Sequence, residues 1–161
     1  MVGAGLWLGI CLSPVGEFAR EAAARLGGRS ALRPGYDPFT ELQLFGNAAI
    51  YTYLAVRMWG LILLIPLIEE AFLRGFLMRL VIDGDWQRVP FGMLTRGAYA
   101  AMLAYAVCTH PAEVPAAIAW FSLVAYTAHR TRSFGDCVAA HVITNAALAG
   151  YALTTGDWSL L

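Results

Sequence analysis

Two adjacent carboxylates and one guanidinium interrupt an apolar run of about twenty residues, which extends from Leu61 to Leu80. A run of that length can cross the hydrocarbon core of a bilayer as a helix, because such a helix needs roughly 20 residues. Ionisable groups near the middle of a membrane helix are costly, at about 2.5 to 3.5 kcal/mol each on insertion scales. We therefore expect Glu69, Glu70 and Arg74 to pair with one another, to face a water-filled cavity, or to have a chemical function.

Helical spacing pairs two of these three charges. Glu70 and Arg74 are four residues apart, so their side chains meet on one face of a helix. The side chain of Glu69 projects about 100° away from that of Glu70 and is left without a partner on its own helix. An unpaired carboxylate at this depth is typical of a general base or acid, and a structural ion-pair cluster between helices is the alternative interpretation.

The composition indicates a membrane setting for the whole chain. Of its 161 residues, 59% are hydrophobic and 14% are charged, whereas about a quarter of the residues are charged in ordinary soluble domains. The length predicts a single domain over residues 1–161. All eleven basic residues are arginines, balanced by eleven acidic residues and spread over short loops, which argues against a nucleic-acid-binding surface.

Proline, glycine and charged residues divide the chain into apolar segments. We predict an all-α, polytopic transmembrane bundle of about five full spans, after a short apolar segment at 1–12 and an interfacial helix at 17–26. Residues 27–38 form a loop, and a turn is expected at 57–60. The predicted spans are 41–58, 60–82, a third from 91 or 96 to 109, then 112–128 and 134–155.

The arginines predict which side of the membrane each loop occupies. If all five segments cross, Arg57 alone lies on one side. The other side, which the positive-inside rule makes cytoplasmic, holds Arg20, Arg25, Arg29, Arg33, Arg88, Arg96, Arg130 and Arg132. The C-terminus is then on the opposite side from these arginines.

Pro66 lies three residues before the first glutamate of the motif. Because proline has no N–H, it should free a backbone carbonyl, which is tolerated at membrane depth where a cavity or a neighbouring helix satisfies it. At about 1.5 Å per residue, Glu69 lies roughly 14 Å along the segment that starts at Gly60. Asn145 lies roughly 16 Å along the last segment, so we expect it to meet Glu69 at the same depth.

Three further polar residues lie in or at the ends of apolar segments. His110 closes the third segment, and His141 and Asn145 share one face of the fifth because they are four residues apart. A single residue of this kind most often joins neighbouring helices. Together with Glu69 they match the needs of water-mediated amide hydrolysis. Glu69 and His110 would hold and deprotonate a water, and His141 and Asn145 would donate hydrogen bonds to the oxyanion. Glu70 and Arg74 would be the orienting pair.

Two alternatives remain open at this level. Glu69, His110 and His141 could bind a zinc ion with a fourth position left for water, but the HExxH signature is absent and we expect no cofactor. There is no GxSxG motif, so a serine nucleophile is not indicated. The second alternative is a non-catalytic membrane protein, such as an immunity or transporter-like protein, in which the same polar residues tie helices together.

These motifs resemble those of the CAAX prenyl protease and bacteriocin-processing family of intramembrane proteases, known as CPBP or Abi. The family motif EExxxR is matched by Glu69, Glu70 and Arg74, and HxxxN is matched by His141 and Asn145. The motif FxxxH is matched only in its histidine, His110, because position 106 is an alanine. The resemblance covers about residues 35–161.

The resemblance implies an intramembrane endopeptidase that cleaves a membrane-associated or lipidated protein near its terminus, without a metal. Residues 89–92, 126–133 and 155–158 are similar to bacterial CAAX prenyl protease-related proteins associated with exosortase systems. That similarity implies a bacterial inner membrane protein whose partners are the lipid bilayer, a membrane-associated protein or peptide substrate and an exosortase sorting system. Members of that branch look longer at the N-terminus, so one or more leading helices are expected to be missing here.

Overall fold

The computed structural model of the protein describes residues 2–27 and 35–161. Over these ranges the regular elements are all helical, as the sequence predicts, and no strand is formed. Two short helices, α1 (Val2–Cys11) and α2 (Pro14–Gly27), open the chain, and α3 (Pro38–Glu41) follows the undescribed loop. Most of the predicted loop at 27–38 lies outside the described residues.

The charged motif lies on a long helix, α4, which is continuous from residue 47 to residue 82. Two π-helical turns, Gly60–Leu64 and Ala71–Leu77, interrupt its α-helical pieces, which are Asn47–Trp59, Ile65–Glu70 and Met78–Ile82. The turn predicted at 57–60 is therefore wrong, since Gly60 has helical angles of φ −60° and ψ −51°. Glycine costs only about 1 kcal/mol in a helix relative to alanine, and the apolar residues on both sides favour continuing the helix.

Three more helices complete the bundle: α5 (Arg96–Thr109), α6 (Val114–Thr131) and α7 (Phe134–Thr155). Side-chain caps begin two of them, since Thr95 accepts a hydrogen bond from the amide of Ala98, and Ser133 accepts one from that of Asp136. Arg132 adopts a left-handed conformation at φ 55° and ends α6. These boundaries agree within a few residues with the last three predicted segments.

The helix α7 lies antiparallel to α4 and fixes which residues meet. Ala152 near its end packs in one cluster with Ile50 and Leu54, while His141 in its first half lies beside Glu69 and Glu70. The helix α1 packs against α6 and α7. Its Trp7 and Cys11 are buried in the same core as Phe121 of α6, so α1 is a packed part of the bundle.

Of the described residues, one helix alone is long and apolar enough to cross a membrane by itself, namely Phe134–Thr155. The helices α1 and α2, which meet at a bend of 62°, pass the same test as a pair. The π turns divide α4 into regular pieces that are each too short to pass. Five separate spans are not confirmed, because one described helix alone passes this test and the first two predicted spans are one continuous helix.

The continuous helix changes which loops share an end of the bundle. Arg132 donates to the carbonyl of Phe91, so the loop after α4 and the turn after α6 lie together. Arg20 lies at the other end. Its guanidinium donates to the carbonyl of Cys11. The pKa of Asp157, which follows α7, is lowered mainly by hydrogen bonds from Ser159 and also by the charge of Arg20. Placing Arg20 beside Arg88, Arg96, Arg130 and Arg132 was therefore wrong, while Arg29 and Arg33 lie outside the described residues.

Candidate active site

The four predicted catalytic residues line one cavity of about 130 Å³ inside the bundle. Glu69 comes from α4, His110 from the end of α5, and His141 and Asn145 from α7. Trp7 of α1 contributes another part of the wall, and residues 159–161 close one side. The folded chain therefore brings together four candidate catalytic residues of which the first, Glu69, and the last, Asn145, are 76 positions apart in the sequence.

The predicted pair of Glu70 and Arg74 is present and buried. Arg74 Nη1 lies 2.8 Å from Glu70 Oε1, and their side chains are 2% and 0% exposed. The other terminal nitrogen, Nη2, donates to the carbonyl of Phe121 over 3.2 Å, and the guanidinium lies 5.2 Å from the centre of that ring. Because a buried ion pair is favourable only with additional hydrogen bonds, the contact with Phe121 is part of what holds this pair in place.

Glu70 also contacts His141, which the sequence did not indicate. His141 Nδ1 lies 3.0 Å from Glu70 Oε1, and since an ionised carboxylate can only accept, the imidazole is the donor. The other ring nitrogen, Nε2, faces Glu69 Oε2 over 3.6 Å. Trp120 packs edge-on against the imidazole at 4.6 Å, so His141 is fixed from two directions.

Glu69 has a partner on another helix. The hydroxyl of Tyr105 in α5 donates to Glu69 Oε1 over 2.8 Å, so the expectation of an unpartnered carboxylate is wrong. The Glu69 side chain is 13% exposed, which leaves it accessible from the cavity. The spacing within α4 contains no information about a hydroxyl that lies 36 positions later in the chain, and for that reason Tyr105 was missed.

The ring of His110 is contacted at Nδ1 by the preceding residue. Thr109 Oγ1 lies 2.8 Å from His110 Nδ1, and it is also within hydrogen-bond distance of the carbonyls of Tyr105 and Ala106. This contact holds the imidazole where it lines the cavity.

Asn145 satisfies the backbone carbonyl that Pro66 leaves free. In the π turn the amide of Ile65 bonds to the carbonyl of Gly60, and the next amide in that register would be that of Pro66, which has no hydrogen. Asn145 Nδ2 donates to the carbonyl of Leu61 over 2.8 Å instead. The predicted freed carbonyl is thus confirmed. The prediction that Asn145 lies at the depth of Glu69 was wrong, because Asn145 contacts Leu61 and it is His141 that lies beside Glu69.

Aromatic rings surround the histidines of the cavity. Ala106, where the resembled family has phenylalanine, is completely buried. The rings of Phe121 and Trp7 lie 5.5 and 5.3 Å from the imidazole of His110. Rings from α6 and α1 therefore pack against His110 in a chain that has alanine at position 106. A single motif cannot show this packing, because the rings come from distant parts of the chain.

The donor set does not fit a metal ion. Within the two described ranges, no three His, Cys, Asp or Glu side chains are grouped so that they could hold one. Glu69, His110 and His141 line the same cavity but are engaged by Tyr105, Thr109 and Glu70, respectively. We derive no step through a metal from this geometry.

Comparison with known proteins gives one finding. A family model described as "Type II CAAX prenyl endopeptidase Rce1-like" matches residues 51–147, which is more than half of the chain. The matched range includes the charged motif, His110, His141 and Asn145. No curated protein and no solved structure matches the chain.

Proposed function

The chain belongs to the type II CAAX prenyl endopeptidase Rce1-like family, a family of membrane-embedded peptidases, and from this premise we propose that it is an intramembrane endopeptidase. Its proposed catalytic residues are Glu69, His110, His141 and Asn145. The observation that carries the proposal is the convergence of all four on one cavity. Glu70 and Arg74 are the proposed orienting residues.

The proposed reaction begins with a water between Glu69 and His110. Glu69 takes a proton as the water oxygen attacks the carbonyl carbon of the scissile peptide bond. The carbonyl oxygen becomes an oxyanion, which hydrogen-bond donors in a dry site stabilise. Transfer of this proton to the leaving nitrogen breaks the carbon–nitrogen bond and gives a carboxylic acid and an amine, and the acid then loses its proton to the amine.

Protonated His141 suits the oxyanion role. Its Nδ1 already donates to Glu70, so only the doubly protonated ring has a second N–H, on Nε2, to offer an oxyanion. Asn145 has two amide hydrogens, and Leu61 accepts one of them.

The outer surface of α4 supports a position within the bilayer. Pro66 and Glu70 are buried, while neighbouring apolar residues of the same helix are exposed. This exposed set suits contact with lipid tails and consists of Leu63, Leu64, Ile65, Leu67, Ile68 and Phe72. Lipid on this side of the site favours a substrate that is itself in the membrane.

The finer proposals follow from the sequence motifs. We propose a lipidated or membrane-associated protein, cleaved near its terminus, as substrate, the bacterial inner membrane as location, and an exosortase system as a possible partner. Hydrolysis without a cofactor is the preferred mechanism, with zinc-dependent hydrolysis as the chemical alternative. A non-catalytic role for the same buried cluster is the functional alternative.

The test is an assay with the purified protein in detergent, using a fluorogenic peptide with a prenylated C-terminal cysteine motif. We expect Glu69→Ala to abolish cleavage, because the general base is removed, while its helix content stays that of wild type. The matched control is Glu41→Ala, which removes an exposed carboxylate at the end of α3.

Each competing mechanism gives a different result. Cleavage that survives a chelator but not Glu69→Ala supports a glutamate-activated water. Loss of cleavage with the chelator as well would assign the reaction to a metal. Equal cleavage by wild type and Glu69→Ala would exclude Glu69 as the base.

A further inference from the structure

Glu69 has two possible partners for its carboxylate, and only one of them forms a hydrogen bond. Tyr105 Oη lies 2.8 Å from Oε1, whereas His141 Nε2 lies 3.6 Å from Oε2. The second distance is too long for a hydrogen bond. A carboxylate on a flexible side chain could close that gap by a small rotation, so an opposing contact must keep Glu69 away from His141.

The ring of Tyr105 is held in place more firmly than the carboxylate it contacts. It packs against Phe72 of α4 at 5.8 Å and against Phe121 of α6 at 6.0 Å. Its backbone carbonyl accepts the hydroxyl of Thr109, whose oxygen also contacts His110 Nδ1. Tyr105 thus links the two members of the proposed water site, because its hydroxyl touches Glu69 and its backbone holds the partner of His110.

We propose that Tyr105 is a positioning residue that fixes Glu69 towards the cavity by keeping its carboxylate from moving closer to His141 and forming a hydrogen bond with it. The proposal rests on the proposed function for its catalytic consequence, while the contact itself is independent of it. Tyr105 never touches the reacting atoms in this scheme. It acts by leaving Glu69 Oε2 accessible to water and the second nitrogen of His141 accessible to the oxyanion.

The charged and titratable groups around Glu69 are consistent with a competition of this kind. Glu70 and Arg74 on α4 are already paired with each other, so neither is a ready alternative for Glu69. The remaining groups that line the cavity with it are His110, Glu113 and His141. His141 Nε2 is within ion-pair distance of Glu69 Oε2, at 3.6 Å.

The proposal predicts a specific change in Tyr105→Phe. This variant keeps the ring and its packing but removes the hydroxyl, so Glu69 is expected to move onto His141. We expect kcat on the prenylated fluorogenic peptide to fall about 10- to 100-fold, as for a misplaced catalytic group, with KM unchanged. The matched control is Tyr99→Phe, since Tyr99 is on the same helix and its hydroxyl bonds to Ser122 instead.

Two readouts separate this role from a merely structural one. In a Glu69→Ala background, Tyr105→Phe should have no further effect on residual cleavage, because residues that act through one another are not additive. The chain has only three histidines, so ¹⁵N-histidine spectra in detergent can be assigned with a His141→Gln variant. The ring resonance of His141 should shift in Tyr105→Phe and stay unchanged in Tyr99→Phe.

An unchanged His141 resonance in Tyr105→Phe would overturn the proposal whatever the assay shows. Unchanged kcat, or the same fold-loss in the Glu69→Ala background as in wild type, would overturn it as well. A shifted resonance in a protein whose Glu69→Ala variant cleaves as fast as wild type would instead uphold the contact and reject the proposed function.

Discussion

At the scale of single residues, the site depends on groups that have more than one partner. Glu70 Oε1 accepts hydrogen bonds from both Arg74 and His141. One carboxylate therefore orients the buried arginine and also a proposed catalytic histidine. The carboxylate of Glu69 accepts a hydrogen bond from Tyr105 and also lines the cavity. The two carboxylates therefore have different roles. Their roles differ because the fold gives them different partners, although they are adjacent in the sequence.

Removing the buried guanidinium should be strongly destabilising. Arg74→Ala leaves the Glu70 carboxylate without its cation, and breaking a buried pair in this way costs about 3 to 5 kcal/mol. We expect a clearly lower thermal unfolding midpoint in detergent. The control is Arg25→Ala, which breaks a pair of the same i,i+4 spacing with Glu21, where the side chains are 80% and 67% exposed. Equal midpoints for the two variants would contradict the structural role of Arg74.

The residue types of the site were predictable, and several of their contacts were not. Helical spacing alone gave the pair of Glu70 and Arg74, and it placed His141 and Asn145 on one face of a helix. The hydrogen bond from Tyr105 and the rings of Trp7 and Phe121 depend on how helices pack. No periodicity within one segment contains that information.

At the scale of elements, the π turns and the proline of α4 determine how it meets α7. Pro66 has no amide hydrogen, so the carbonyl of Leu61 accepts a hydrogen bond from Asn145 instead. Sequence reasoning predicted the freed carbonyl because proline chemistry is local. The turn predicted at 57–60 was wrong, because the glycine after the tryptophan was interpreted as the end of a helix, whereas Gly60 has helical backbone angles and the helix continues through it.

Asn145 should have separable structural and catalytic roles. Asn145→Ala leaves the buried carbonyl of Leu61 unsatisfied, at a cost of about 1 to 3 kcal/mol, and removes an oxyanion donor, which lowers kcat by about 10²- to 10³-fold. Adding Pro66→Ala returns a backbone N–H to α4. The double variant should therefore recover thermal stability but not cleavage of the prenylated peptide. Recovery of both would show that Asn145 is a structural residue only.

At the scale of the whole molecule, one long helix replaces two predicted spans. Residues 47–82 extend on the order of 50 Å at about 1.5 Å per residue, which exceeds the roughly 30 Å hydrocarbon core. If α4 crosses the membrane, part of it lies outside that core or the helix is tilted. A single crossing by α4 would place Tyr36, which precedes it, on the same side as Trp158, which follows α7, and Arg57 contacts both residues.

Cysteine labelling can count the crossings of α4. Glu41 and Gln87 are exposed just before and just after it. In a background with Cys11, Cys108 and Cys137 replaced by alanine, we expect Glu41→Cys and Gln87→Cys to react with a membrane-impermeant maleimide from opposite faces.

Detergent lysis is the control for this labelling, since it should expose both cysteines. Labelling of Glu41→Cys and Gln87→Cys from the same face would mean that the chain crosses twice between them. That result would restore the predicted turn at 57–60.

The most direct test of the central claim, that Glu69 activates the water, is the kcat of Glu69→Gln on the prenylated fluorogenic peptide. Glutamine has nearly the same shape and can still accept the Tyr105 hydrogen bond, but it cannot take a proton. We predict a loss of about 10²- to 10⁴-fold in kcat, as for removal of a general base, with the thermal midpoint unchanged. A kcat within about threefold of wild type, far smaller than a general-base contribution, would contradict the account.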